Sequence, residues 1–260
     1  MARFYARAIE RRKEDTLPAI VEGLDPADPV TADHARRLLE SHPLVVVRGS
    51  PLGLETLVAF GRRLGELESY AEPDPGYEAF PEVAVFSNRA SRGRVPRPYW
   101  HSDGLLRDHP PDATVFHAVE APERGGETLF RDARELYEEL DAEDRRTLDG
   151  LTCVLGGGAR RPLVVEHPPS GRRALRVNLG AIVGIVGVER ESARRLVGEL
   201  IAMHERPEGV YAHRYLPGDI VIWDNRAVAH SATEPPPPDQ RRLIMRLDVR
   251  ALASVSADAG

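Results

Sequence analysis

The sequence predicts a mainly β chain with flanking helices, arranged as a sandwich or jelly roll. Short β-branched runs recur from residue 83 onward with turn residues between them, and only a few stretches keep helical spacing. The βαβ alternation of a doubly wound sheet is missing. A chain of 260 residues with 42% hydrophobic content can bury one sizeable core, so a single domain over 1–260 is expected.

Each element has its own signal. "TADHARRLLESH" predicts a helix capped by Thr31 or Asp33, followed by the strand "LVVVRG". "LETLVAFGRRLGEL" places Leu54, Leu57, Val58, Phe60 and Leu64 at the spacing of an amphipathic helix lying against a sheet. The strand candidates are "VAVFSN", "ATVFHAVEA", "LTCVLGG", "RPLVVEH", "RALRVNLG", "DIVIWDN" and "RLIMRLDVR". Two helices interrupt them, one in "RDARELYEELDAEDRRTLDG" and one in "ERESARRLVGELIAMHER", where Ala193, Leu196, Val197, Leu200 and Ile201 form one apolar face. The only breaks are local, at "RGRVPRP" and "EPPPPDQ".

Charge and cysteine content narrow the function. A net charge of -6 provides no basic field for a phosphate backbone, which argues against a nucleic-acid partner. The longest apolar run, "LGAIVGIVGV", is too short to span a membrane. The N-terminal "MARFYARAIERRKED" lacks the apolar stretch of a signal peptide, and the lone Cys153 has no disulfide partner within the chain. A cytoplasmic protein is expected; self-association is left open. Cys153, in an apolar strand, reads as core packing, and "GGGA" at 156–159 lacks the helix and Lys-Ser/Thr of a phosphate-binding loop.

The chemistry concentrates in "WHSDG". In extended backbone, residues two apart share a face, so His101 and Asp103 present an imidazole and a carboxylate to one point. With 9 histidines and 41 acidic residues, about one such spacing arises by chance, so the pair alone is weak. The alternative is a surface loop in which Asp103 accepts a hydrogen bond from His101. Downstream, "PGDIVIWDNRAVAH" sets a turn, an apolar strand and then His230, a third candidate ligand. Two histidines and one carboxylate on one face of a metal leave positions open, an arrangement suited to non-haem Fe(II) oxygenases. A 2-oxo acid that chelates the iron would supply electrons, and its far carboxylate needs a cation. In "QRRLIMRLDV", Arg242 and Arg246 would share a strand face while Arg241 turns the other way. The alternative there is an edge strand of solvated arginines.

"WHSDG", "PERGGETLF", "HPPSGRRALRVN", "PGDIVIWDNRAVAH" and "RRLIMR", in this order from about residue 40 to 250, together resemble the taurine dioxygenase (TauD/TfdA-like) family of Fe(II)/2-oxoglutarate-dependent oxygenases. The resemblance implies a double-stranded β-helix, a cupin-like jelly roll with helices outside. It implies that His101, Asp103 and His230 bind Fe(II), that Thr128 and Arg242 hold the distal carboxylate of 2-oxoglutarate, and that O2 is the oxidant. Arg246 matches an arginine that binds the substrate's anionic group, and Trp223 matches a tryptophan near the iron or packs in the core. Tyr99 and Arg97, just ahead of the metal motif, are further substrate-binding candidates, with Arg94 beside them.

The implied reaction oxidises an unactivated C–H bond of a small, anionic or amino-acid-like molecule, in secondary metabolism or elsewhere, while 2-oxoglutarate becomes succinate. Hydroxylation is the default; desaturation, cyclisation, epoxidation and isonitrile formation share the same core. Asp103 fills the position that a halogenase leaves to halide. The sequence "GELESYAEPDPGYEAF" has no histidine where the taurine enzyme uses one for sulfonate, so taurine is not the expected substrate. Loops at 69–99 and 156–185 are the expected lids. His117, His167, His204 and His213 read as structural. The rivals are a non-catalytic jelly-roll binding protein, which would have no use for a 2-oxoglutarate clamp, and a zinc hydrolase, which would not need the two arginines.

Overall fold

The run Leu44–Val47 is apolar at every position, and such a strand needs cover on both faces. The computed structural model, which describes residues 17–49, 51–89 and 98–252, supplies it. The elements are β1 (Ala19–Val21), α1 (Pro29–Leu38), β2 (Leu44–Val47), α2 (Leu54–Leu64), β3 (Gly65–Leu67), β4 (Ala84–Ser87), β5 (Ala113–Glu120), β6 (Thr128–Asp132), α3 (Ala133–Glu138), α4 (Ala142–Asp149), β7 (Thr152–Leu155), β8 (Arg160–Pro162), β9 (Val164–Glu166), β10 (Arg173–Leu175), β11 (Ile182–Ile185), α5 (Arg190–His204), β12 (Tyr211–His213), β13 (Ile220–Asp224), β14 (Val228–Ala232) and β15 (Leu243–Leu252). The protein is mainly β with flanking helices, as the strand pattern predicts.

The large sheet runs β1-β2-β13-β5-β15-β3, with β4 also paired to β15. Alternation sorts its side chains. Val45, Val47, Val115, Ile220, Ile222, Met245, Leu247 and Val249 pack under α1 and α2, against Ala32, Ala35, Leu57, Phe60 and Leu64. Leu44, Val46, Phe116, Ala118, Val221, Trp223 and Ile244 point the other way, onto Phe130 of β6 and Val228 of β14 in the smaller sheet β12-β6-β14. Leu57 is fully buried, and truncating such a leucine costs about 2–5 kcal/mol. A third cluster joins Trp100, α3, α5, β7 and β11. Arg246 and Asp248 alternate with Met245, Leu247 and Val249 and so share the inner face with Ile244, between the two sheets.

The local differences from the sequence reading have physical causes. Helix α1 begins earlier than expected because Asp28, not Thr31 or Asp33, caps it by accepting from the Val30 N–H, with Pro29 preset for the first turn. The single helix expected at 131–150 is two, since Asp141 accepts from the N–H groups of Glu143 and Asp144 and starts α4 afresh. "RPLVVEH" divides between two sheets, β8 pairing with β7 and β9 with β10. "RALRVNLG" is a strand only to Leu175, and its Asn178 bridges to His101 instead. Among the described residues, no helix is long and apolar enough to cross a membrane.

Candidate active site

Backbone pairing brings the first histidine to the third candidate ligand. The His101 N–H donates to the His230 carbonyl (2.9 Å) and the His230 N–H to the His101 carbonyl (2.8 Å), so both side chains project to one face. Their rings lie 4.3 Å apart by centroid. The Ser102 hydroxyl donates to the Val228 carbonyl (2.9 Å), tying the loop to β14. Gly104 follows Asp103 with φ +72°, and a Cβ there would meet Pro111 Cδ at 2.3 Å. The turn that closes "WHSDG" therefore requires glycine.

His101, Asp103 and His230 each offer one ligand atom, all within 4.8 Å of one another. His101 Nδ1 lies 2.8 Å from the Tyr99 carbonyl oxygen. A carbonyl only accepts, so Nδ1 carries the proton and Nε2 is the ring atom turned toward a metal. Nε2 of His101 is 3.8 Å from Asp103 Oδ1, and Nε2 of His230 is 3.6 Å from Asp103 Oδ2. Burial, and then the neighbouring His101, push His230 down to about 3, which keeps its ring neutral. Burial raises the Asp103 carboxyl, but Arg246, His230, His101 and the Thr114 hydroxyl outweigh it and hold the group well below the usual carboxylate range. A neutral His230 imidazole and an ionised Asp103 carboxylate are the protonation states that a divalent metal requires of these two groups.

The carboxylate is held on every side. Thr114 Oγ1 donates to Asp103 Oδ2 (3.0 Å) and accepts from Asn225 Nδ2 (2.9 Å), while Asn225 Oδ1 accepts from the Asp103 N–H (3.3 Å). Arg246 Nη1 donates to Asp103 Oδ1 at 3.2 Å. The other edge of that guanidinium is committed, with Nε 2.8 Å and Nη2 2.7 Å from Asp248 Oδ1. Asp248 Oδ2 accepts in turn from Tyr70 (2.9 Å) and Arg107 (2.9 Å).

A second cluster forms along β6. Thr128 sits two residues before Phe130, the partner of His230 in the β6–β14 register, so its side chain shares that face about 7 Å farther along the strand. Thr128 Oγ1 lies 2.8 Å from the Tyr215 hydroxyl, and the Arg242 guanidinium lies 5.2 Å from the Tyr215 ring centroid. Arg242 Nε donates to the Gly126 carbonyl (3.1 Å). Gly126 has φ +74°, and a Cβ on it would strike Arg242 Cδ at 2.9 Å. Arg131, Arg134 and Arg242 are all more than nine-tenths buried. Arg131 and Arg134 pair with Glu139 and Asp132. Arg242 has no carboxylate within ion-pair distance among the described residues.

The sequence-predicted residues thus divide into three groups. His101, Asp103 and His230 converge; Thr128 and Arg242 meet in the second cluster; Arg246 stands beside Asp103. Tyr99 lies against the triad through its carbonyl and a ring 5.2 Å from that of His101. Arg97 and Arg94 lie outside the described residues. Trp223 is fully buried, 4.9 Å from the His230 ring, and packs edge-on against Phe116 and Phe130. Sequence reasoning missed Thr114, Tyr215, Asn225 and Asp248. Of these, only Asp248 carried a signal, two residues beyond Arg246 on the same strand face. Three other histidines have protein partners: His167 meets Asp224 and Ser170, His213 meets Asp219 and Tyr211, and His117 accepts from the Leu52 N–H. Cys153 is buried, and burial pushes its thiol up to about 11.

The chain as a whole is similar to known proteins. The family model described as "Taurine catabolism dioxygenase TauD, TfdA family" matches residues 14–155 and 156–247. Pentalenolactone F synthase of Streptomyces arenae is 28% identical, covering 89% of this chain and 91% of that protein. The alpha-ketoglutarate-dependent 2,4-dichlorophenoxyacetate dioxygenase of Cupriavidus pinatubonensis is 30% identical, covering 81% and 86% respectively. A taurine dioxygenase crystal structure from Burkholderia xenovorans aligns with a TM-score of 0.76 at 29% identity, over 90% of this chain and 89% of that one.

Proposed function

Because the chain belongs to the TauD/TfdA dioxygenase family, we propose that His101, Asp103 and His230 hold its iron and that Thr128 and Arg242 hold the distal carboxylate of 2-oxoglutarate. The protein is an Fe(II)/2-oxoglutarate-dependent oxygenase acting on a small molecule. The observation that carries the site reading is a pairing: three convergent ligand atoms at one end, and at the other a buried guanidinium with no carboxylate at ion-pair distance among the described residues. That distance along β6 suits a short diacid reaching between them.

Iron held by His101, Asp103 and His230, with 2-oxoglutarate held by Thr128 and Arg242, would supply the oxidising chemistry from O2, with succinate and carbon dioxide as the co-products. The chain's own part is positional. Tyr99 fixes the His101 tautomer, and Thr114 and Asn225 fix the Asp103 rotamer. Arg246 turns its Nη1 edge toward Asp103 and the metal side, where it anchors that ligand and has a further N–H to offer a substrate. Trp223, Phe116 and Phe130 back His230 with apolar rings that exclude water. Hydroxylation is the proposed outcome, on a small anionic or amino-acid-like molecule that Arg246, Tyr99 and Arg97 help to bind. The two facing sheets support a double-stranded β-helix forming one domain, and the lone buried Cys153 suits a reducing cytoplasm.

The test is anaerobic addition of Fe(II) and 2-oxoglutarate. A weak visible charge-transfer band should form in the wild type and be absent in Asp103→Ala. If the variant keeps the band unchanged, the ligand set is wrong.

A further inference from the structure

The unpaired Arg242 does not stand alone, and its neighbour carries chemistry that the five motifs leave unused. Tyr215 is 3% exposed, and its hydroxyl meets Thr128 Oγ1 at 2.8 Å while the Arg242 cation lies against its ring face. Its placement is built rather than incidental. The "HRYLPGD" turn is locked by Asp219, which takes both the His213 ring and the Leu216 N–H (2.8 Å). His213 then meets the Tyr215 ring edge-on, with centroids 4.6 Å apart. On β6 the His213 position pairs with Thr128, so the strand register delivers Tyr215 to the same cluster.

We propose that Tyr215 is a third ligand of the co-substrate's distal carboxylate, donating its phenolic O–H beside Thr128 and Arg242, and that it helps to select 2-oxoglutarate over keto acids lacking that carboxylate. The inference rests on the reading of Thr128 and Arg242 given above. Three donors match the lone pairs of a desolvated carboxylate better than two, and a buried anion with incomplete hydrogen bonding is costly. Arg242 contributes the charge, and the two hydroxyls contribute neutral donors at fixed positions. Burial pushes the phenol up, so Tyr215 keeps its proton and remains a donor. Without a carboxylate in place, Thr128, Tyr215 and Arg242 satisfy one another.

The experiment compares wild type, Tyr215→Phe, Thr128→Ala and Arg242→Met, each loaded with Mn(II) without oxygen. Dissociation constants are measured by calorimetry for 2-oxoglutarate, for N-oxalylglycine, and for 2-oxobutyrate, which has no distal carboxylate. Tyr215→Phe should weaken the two diacids about ten- to a hundredfold, the range for a hydrogen bond to a charged group. It should leave 2-oxobutyrate within about twofold, on the same scale. Equal weakening of all three acids, or none, overturns the proposal. If Arg242→Met and Thr128→Ala also leave the diacids unchanged, the cradle itself has been misplaced and the functional reading falls with it. Thermal melting of each variant separates binding from folding, since Tyr215→Phe keeps the ring that packs on His213.

Discussion

Two arginines on the same stretch of chain end up in opposite circumstances. Arg246 touches two carboxylates, Asp103 and Asp248, each more deeply buried than itself. Arg242, four residues earlier, touches none among the described residues and rests on a tyrosine and a carbonyl. The difference separates an arginine whose charge the protein already balances from one whose charge is left for a ligand. A buried charge with complete partners is held in place, and the nearby ligand carboxylate is held with it. A buried charge without them is a site for an anion delivered from outside.

The largest effect tests whether the paired region is the metal centre. Asp103→Ala and His230→Ala should each lower substrate-dependent succinate formation by more than about a hundredfold, beyond the loss usual for outer-sphere partners. Full turnover in either variant would erase the distinction between the two regions.

Stability comes next, and here the regions should diverge. Asp248→Ala leaves Arg246 and Arg107 short of a shared acceptor, and breaking a buried ion pair costs about 3–5 kcal/mol. Arg242→Met removes a buried charge that no carboxylate among the described residues pairs with directly, so its stability should match or exceed that of the wild type. Urea denaturation of both variants without metal checks this. An equal loss in the two would mean that Arg242 is as structural as Arg246. The same Arg242→Met variant should need about ten- to a hundredfold more 2-oxoglutarate for half-saturation, which substrate-dependent succinate release measures.

How much of this arrangement was legible follows from the range of each interaction. The strands at "DIVIWDN" and "RLIMRLDVR" form as read, because a short run of apolar and β-branched residues is a local signal. His101 and Asp103 were legible for the same reason, being two apart in extended chain. Tyr215 and Thr128 meet across 87 residues, and no local pattern marks that pairing. β12 has three residues and β14 has five, too short for alternation to stand above chance. The break between α3 and α4 was missed because the charged run "EELDAED" carries no glycine or proline; α3 ends at Glu138, and the Asp141 side chain caps a new helix.

The smallest effect concerns a second unpaired basic group, which shows why Arg242 must wait for an anion while others need not. His204 is fully buried, with Nδ1 bonded to the Leu200 carbonyl (2.7 Å) and Nε2 without a partner among the described residues. An arginine cannot shed its proton in such a place, but a histidine can. Burial accordingly pushes His204 down to about 4. The unfolded chain binds that proton near pH 6.5, so between pH 6.5 and about 4 the unfolded state holds more protons than the folded one. Stability from this group is complete above pH 6.5, falls as pH drops through that window by at most about 1.4 kcal/mol per unit, and levels off below it. Denaturation of the metal-free protein at stepped pH should show the slope. His204→Phe should reduce it and Arg242→Met should leave it unchanged, because the guanidinium stays charged throughout. A shallower slope in Arg242→Met would mean that the arginine exchanges a proton after all, and the contrast between a fixed charge awaiting an anion and a group that neutralises itself would be lost.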